Sequence, residues 1–126
     1  MRKIMYEDCN NNATFLKELF VQMQALSNSE LNWRISNLDF TPIDKGEFID
    51  GIPSDELKEI YYFQKKVIEK QTIIITHNAL MKLLENIRTV NEGSFDVSIK
   101  GEQLKINIFD GDIIEIDGEM ENELNL

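Results

Sequence analysis

Apolar positions recur along the chain with two periods. Phe15, Leu16, Leu19, Phe20, Met23 and Leu26 are spaced as one stripe of an amphipathic helix. Asn12, last of the run Asn10-Asn11-Asn12, stands where a side-chain oxygen would cap a first-turn amide, and Ser27-Asn28-Ser29 ends the element. Leu31, Trp33 and Ile35 then alternate with Asn32, Arg34 and Ser36, the period of a half-buried strand. The parity breaks at Leu38 and Phe40, which predicts a bend or bulge near Asn37. Residues 39–53, with Pro42, Gly46, Gly51 and Pro53, read as an ordered connection carrying a short strand around Phe48.

Pro53-Ser54-Asp55-Glu56 has the form of a helix start: a serine cap followed by two acids at the positive end of the dipole. Leu57, Ile60, Tyr61, Val67 and Ile68 fit one face, interrupted by Gln64. The rival reading makes Tyr61-Tyr62-Phe63 a strand. Thr72 to Ile75 is short and β-branched, as a fully buried strand would be. Thr76 can cap a further helix with stripe Leu80, Leu83, Leu84 and Ile87, closed by Asn91-Glu92-Gly93.

The last third is a meander. Phe95, Val97 and Ile99 alternate with Asp96, Ser98 and Lys100; Leu104, Ile106 and Ile108 alternate with Gln103, Lys105 and Asn107. A two-residue turn at Gly101-Glu102 would pair Ile99 with Leu104, Val97 with Ile106 and Phe95 with Ile108. A two-residue turn after Phe109 would oppose Ile106 and Glu115, whereas one residue more pairs Ile108 with Ile114 and Ile106 with Ile116. The outward face then carries Asp96, Ser98, Lys105, Asn107, Glu115 and Asp117. The fold class is α+β: about three helices on one face of an antiparallel or mixed sheet, ending in a three-stranded meander.

Length changes little in this picture: 126 residues make one domain, with an acidic tail at about 118–126. Charge changes more. Thirteen Lys+Arg against 23 Asp+Glu give −10, which argues against direct contact with nucleic-acid phosphates or an anionic membrane. The N-terminal residues lack a signal-peptide core, no apolar run approaches a membrane span, and Cys9 is the only cysteine. A cytoplasmic location is the default expectation.

The acids are concentrated late. Residues 101–126 hold Glu102, Asp110, Asp112, Glu115, Asp117, Glu119, Glu121 and Glu123 against Lys105 alone, so they account for −7 of the total. Two readings stand side by side. One is a solvated edge strand and a frayed tail that keep the protein soluble. The other is a docking surface of Asp110, Asp112, Glu115, Asp117, Glu119 and Glu121 that steers a basic partner.

Enzymatic and metal motifs are scarce. Asp110-Gly111-Asp112 with Glu115 and Asp117 has hairpin-tip spacing, not the twelve-residue frame of a calcium loop. His77, the sole histidine, has no metal-ligating or nucleophilic spacing around it, and Glu7 and Asp8 disfavour a reactive Cys9 thiolate. Asp44, Glu47, Asp50, Asp55 and Glu56 could supply paired carboxylates, without an aromatic-rich cleft to support them. No phosphate loop, Cys-x-x-Cys or His-Glu-x-x-His motif occurs, so neither enzyme activity nor a cofactor is expected. Trp33 reads as core on its alternating strand; exposed beside acids it would be an interface anchor, a role also open to Tyr61 and Tyr62.

Two stretches, Asn32-Trp33-Arg34-Ile35-Ser36-Asn37-Leu38-Asp39 and Ile108-Phe109-Asp110-Gly111-Asp112-Ile113-Ile114-Glu115-Ile116, carry a resemblance. With the size, acidity and helix-then-meander order, the chain resembles small cytoplasmic immunity proteins of bacterial polymorphic or contact-dependent toxin systems. The resemblance implies a non-enzymatic binder that neutralises a cognate toxin domain, often a nuclease with a basic cleft. The alternatives are an acidic nucleic-acid mimic from a phage or mobile element that blocks a DNA-binding enzyme, and a small scaffold domain whose charge serves solubility alone. An enzyme using acids of residues 44–56 is a fourth.

Overall fold

The computed structural model describes residues 1–8, 10–43, 55 and 57–126. Among them the elements run β1 (Arg2–Met5), α1 (Ala13–Ala25), β2 (Asn32–Pro42), α2 (Lys58–Lys70), β3 (Ile73–Thr76), α3 (His77–Leu84), β4 (Ile87–Ile99), β5 (Glu102–Phe109), β6 (Ile113–Asp117) and a 3-10 helix over Glu119–Glu123. The class is α+β. The strands form one antiparallel sheet in the order β1-β6-β5-β4-β2-β3. Cys9, the strand expected around Phe48, the Ser54 cap and acids Asp44, Glu47, Asp50 and Glu56 lie outside the described residues.

One face of the sheet is apolar because alternate residues are apolar on every long strand. Trp33 and Ile35, Phe95 and Val97, Leu104 and Ile106, and Ile114 and Ile116 are buried there. Helix α1 lays Leu16, Leu19, Phe20 and Met23 on this face. The Phe20 ring stands 4.5 Å from that of Trp33 and 5.3 Å from that of Phe95, both tilted as aromatic pairs prefer. Helix α2 contributes Ile60, Phe63 and Val67. Gln64, which interrupts its apolar face, donates from Nε2 to the Leu38 carbonyl at 3.1 Å. Thr76 caps α3 as expected, its hydroxyl accepting from the Ala79 amide at 3.3 Å.

The meander follows the alternation with one shift. Ile108 pairs with Ile114 and Ile106 with Ile116 across a three-residue loop, as the sequence predicts. The first turn is Lys100-Gly101, with φ of 52° and 82°, and closes on Ile99 opposite Glu102. Two consecutive positive φ values are the two-residue hairpin geometry that favours glycine second. Val97 therefore faces Leu104 and Phe95 faces Ile106, two residues away from the expected register and on the same face.

Four expectations are corrected. Asn91-Glu92-Gly93 does not end a helix: it lies inside β4, where a Cβ on Gly93 would stand 2.7 Å from Phe95 Cε2 and 2.9 Å from Val90 Cγ1. The glycine makes room for a ring. The β3 segment is an edge strand, not a buried one, and Ile74 is 60% exposed. β6 is not an edge, because β1 pairs along it from Arg2–Ile116 to Met5–Ile113. The C-terminal segment is not frayed: Met120 and Leu124 are buried, and Gln22 and Asn125 exchange hydrogen bonds of 3.0 and 2.6 Å.

Asn12 precedes α1 but makes no capping bond. It is fully buried and bridges strands instead. Its Nδ2 donates to the carbonyls of Val90 at 2.9 Å and Gly111 at 3.0 Å, and its Oδ1 accepts from the Val90 amide at 2.8 Å. The side chain thus supplies ladder bonds where β4 is irregular, near the Asp39/Phe40 register shift.

Candidate partner-binding surface

Among the described residues the helices cover one face of the sheet and leave the other open. On it, cross-strand neighbours form rows. The central row runs Ile74, Arg34, Asp96, Lys105, Asp117, so charge alternates from strand to strand. Asn32, Ser98 and Gln103 join these residues in lining a shallow polar trough of about 640 Å³. The next row contains Ser94, Asn107, Glu115 and Lys3, with the Ser94 hydroxyl donating to Asn107 Oδ1 at 2.5 Å.

The third row differs. Met5 pairs with Ile113 and Ile113 with Phe109, which places three apolar side chains side by side on the open face. Met5 is 63% and Phe109 41% exposed. Acids surround them. The Asp110 amide donates to Glu92 Oε1 at 3.3 Å, and Glu92 pairs with Asp39 across β2 and β4. The Tyr6 amide donates to the Asp112 carbonyl at 2.6 Å, which brings the following Glu7 and Asp8 to the same end. Asp112 Oδ1 is shielded from solvent, with no donor among the described residues. Acids gathered at one end of the sheet favour the approach of an opposite charge.

The acids expected to form one surface are therefore divided. Asp110 and Asp112 occupy the β5–β6 loop at the apolar row. Glu115 is the cross-strand neighbour of Lys3 and Asp117 that of Lys105, so each has a base on the adjacent strand. Glu119 is at the other end of the sheet, hydrogen-bonded to Glu102, whose carboxyl is held above the ordinary glutamate range by that bond and by the neighbouring charge. Glu121 is tied to the N-terminal ammonium at 3.2 Å, its side chain 13% exposed. Trp33 is excluded as an anchor: it is wholly buried, and its Nε1 donates to His77 Nδ1 at 3.2 Å. His77 is buried in turn, and desolvation lowers its pKa against a smaller opposing pull from Glu30.

Sequence reasoning missed Met5, Phe109, Ile113, Asp39 and Glu92 as members of one site. Phe109 and Ile113 carried a signal, since each puts an apolar residue at a polar parity of its strand. Met5 did not, because its placement depends on β1. Among the described residues no group of histidine, cysteine or acidic side chains is arranged to hold a metal ion, and no helix is long and apolar enough to cross a membrane. No protein-family model, curated protein or solved structure matches the chain.

Proposed function

We propose that this protein is a non-enzymatic inhibitor of the immunity type: it binds and neutralises a cognate bacterial toxin domain, a basic nuclease being the kind of target its charge suits. The binding surface is the acid-rimmed end of the open sheet face. The observation that carries the reading is the row Met5, Ile113, Phe109, its two ends exposed and Ile113 half-buried between them, framed by Asp39, Glu92, Asp110 and Asp112. Affinity in protein interfaces concentrates in a few apolar and aromatic anchors inside a polar rim, and rim charge sets partner choice and association rate. An acidic rim around a phenylalanine suits a partner whose basic cleft is flanked by apolar surface. The second acidic group, at Glu102 and Glu119, is separated from the first by the mixed row of Arg34, Asp96, Lys105 and Asp117. Two separated groups suit a compact basic patch better than a track that imitates nucleic-acid phosphates.

The test starts from the neighbouring reading frames: if one encodes a toxin domain, its binding is measured by surface plasmon resonance at low and high salt, and if none does the reading fails. Phe109→Ala should weaken binding about tenfold or more, mainly through faster dissociation. Glu92→Lys with Asp110→Lys should slow association and flatten its salt dependence. Binding indifferent to both changes would remove this surface from consideration, and no binding to that domain would overturn the reading.

A further inference from the structure

We propose that the outer edge of β3, which pairs with no further strand among the described residues, is, with the groove between α2 and α3 beside it, a second docking site, which takes an extended acidic segment of a partner chain as a seventh strand. It lies on the opposite edge of the sheet from β1 and does not depend on the acid-rimmed surface.

The first support is the strand itself. Sheet edges are ordinarily protected by charge, proline or cover. The β1 edge follows this rule with Arg2 and Lys3, whereas β3 reads Ile73-Ile74-Ile75-Thr76 and carries neither charge nor proline. The His77 amide donates to the Leu31 carbonyl at 2.8 Å, in register with the Trp33–Ile75 and Ile35–Ile73 pairs. By antiparallel alternation Ile73 and Ile75 bond to β2, so the N–H and C=O of Ile74 point away from the sheet. Neither has a partner among the described residues. An added strand would exchange two hydrogen bonds with Ile74.

The second support is the groove. A cleft of about 330 Å³ lies where Tyr62, Phe63 and Lys66 of α2 face Lys82 and Leu83 of α3, with Ile75 at its floor. Side chains of an added strand alternate between faces, so those level with Ile75 would enter this cleft. The cleft is at the lower end of the range of about 300–1,000 Å³ usual for binding sites.

Charge decides the occupant. Lys66 stands 4.4 Å over the Tyr62 ring, and among the described residues neither it nor Lys70 nor Lys82 has an ion pair. Glu59 is the opposing charge in the lining. On the other face, Arg34 is the cross-strand neighbour of Ile74. An added strand with alternating acidic and apolar residues directs its acids to one face, into the cleft lined by Lys66 and Lys82, and its apolar residues to the other, beside the exposed Ile74. A second copy of this chain would bring its own Lys66, Lys70 and Lys82 against the same lysines.

The probe is a fluorescein-labelled peptide, acetyl-Glu-Val-Glu-Leu-Glu-Val, titrated with the full chain and read by fluorescence anisotropy. Controls are its lysine counterpart and a form N-methylated at alternate amides, which keeps the side chains but blocks strand pairing. The acidic peptide should bind about tenfold more tightly than either control. Ile74→Pro, which removes the outward N–H, and Lys66→Glu with Lys82→Glu, which alters only groove lysines, should each weaken it severalfold while leaving the thermal midpoint unchanged. Equal affinity for all three peptides, no binding at millimolar concentration, or binding unaffected by both variants would overturn the proposal. So would a concentration-dependent dimer abolished by Ile74→Pro, which would assign the edge to a second copy.

Discussion

Replacing Asn12 by Asp separates a strand-bridging side chain from a helix cap, because the two roles predict opposite results. As a cap, Asp equals Asn or exceeds it through the helix dipole, and Ala costs about 1 kcal/mol. In the structure the Asn12 amide donates to two buried carbonyls, Val90 and Gly111, while its oxygen takes the Val90 amide. Ala would leave those three groups unpaired. At about 1–3 kcal/mol for each buried unsatisfied group, with partial relief from relaxation, the loss should be about 3–5 kcal/mol. Asp keeps the acceptor but turns a second oxygen against two carbonyls, so the folded protein favours the protonated acid. Its folded pKa is then raised above the unfolded value of about 3.9. The folded state holds a proton the unfolded chain has lost, so stability declines as pH rises above that value, by up to about 1.4 kcal/mol per pH unit, and levels off once the folded carboxyl ionises. Urea unfolding followed by the fluorescence of the buried Trp33, across pH 4 to 8, measures this. An Asn12→Asp variant as stable as the parent at neutral pH, or an Asn12→Ala variant within about 1 kcal/mol of it, would refute the bridging role.

Two other features invite direct measurement. His77 has a folded pKa below its unfolded value because burial disfavours the cation, and its Nδ1 must stay unprotonated to accept from Trp33. The unfolded chain therefore binds the proton first, and stability should fall as pH drops through about 6.5. His77→Asn keeps an acceptor without the titration and should flatten the stability profile between pH 7.5 and 5.5; an unchanged slope would contradict this. Gly118 has φ of +150°, and a Cβ there would stand 2.3 Å from the Gln103 carbonyl oxygen, whereas Gly101, at φ +82°, has open space around it. Gly118→Ala should cost about 2–4 kcal/mol and expose the segment after it to proteolysis, against about 1–2 kcal/mol for Gly101→Ala; equal costs would show that the close approach to Gln103 does not matter.

What could be read from the sequence was what repeats. Phe95 to Ile116 declares its alternation, and two turns with glycine leave few registers that keep the apolar residues together. The first turn moved by one residue because Gly101 fits either central position, and the resulting two-residue shift in register leaves every side chain on its own face. What could not be read depended on distant partners. β1 is four residues, Arg-Lys-Ile-Met, without periodicity, and its identity as a strand comes from the edge that β6 offers. Asn91-Glu92-Gly93 looks like a terminator until the Phe95 ring claims the space over Gly93. The site suffered for the same reason. Acids counted along the chain gave a continuous surface, but charge in a sheet is felt across strands, where Lys3 meets Glu115 and Lys105 meets Asp117.

Counting across strands also explains why a protein of net charge −10 carries two surfaces of opposite character. One acidic group gathers at Asp110 and Asp112 and a second at Glu102 and Glu119, while Lys66, Lys70 and Lys82, without an ion pair among the described residues, flank β3. At physiological ionic strength a field decays over about 8 Å, less than the width of a six-stranded sheet at about 4.8 Å per strand. Each edge is thus electrostatically local, and net charge does not govern what approaches either one. A basic partner at the proposed apolar row by Phe109 would not sense the lysines. The proposed acidic strand would likewise reach Ile74 although the molecule as a whole would repel it. If both sites are occupied, raising salt should weaken both, and charge reversal at one should leave the other's affinity unchanged.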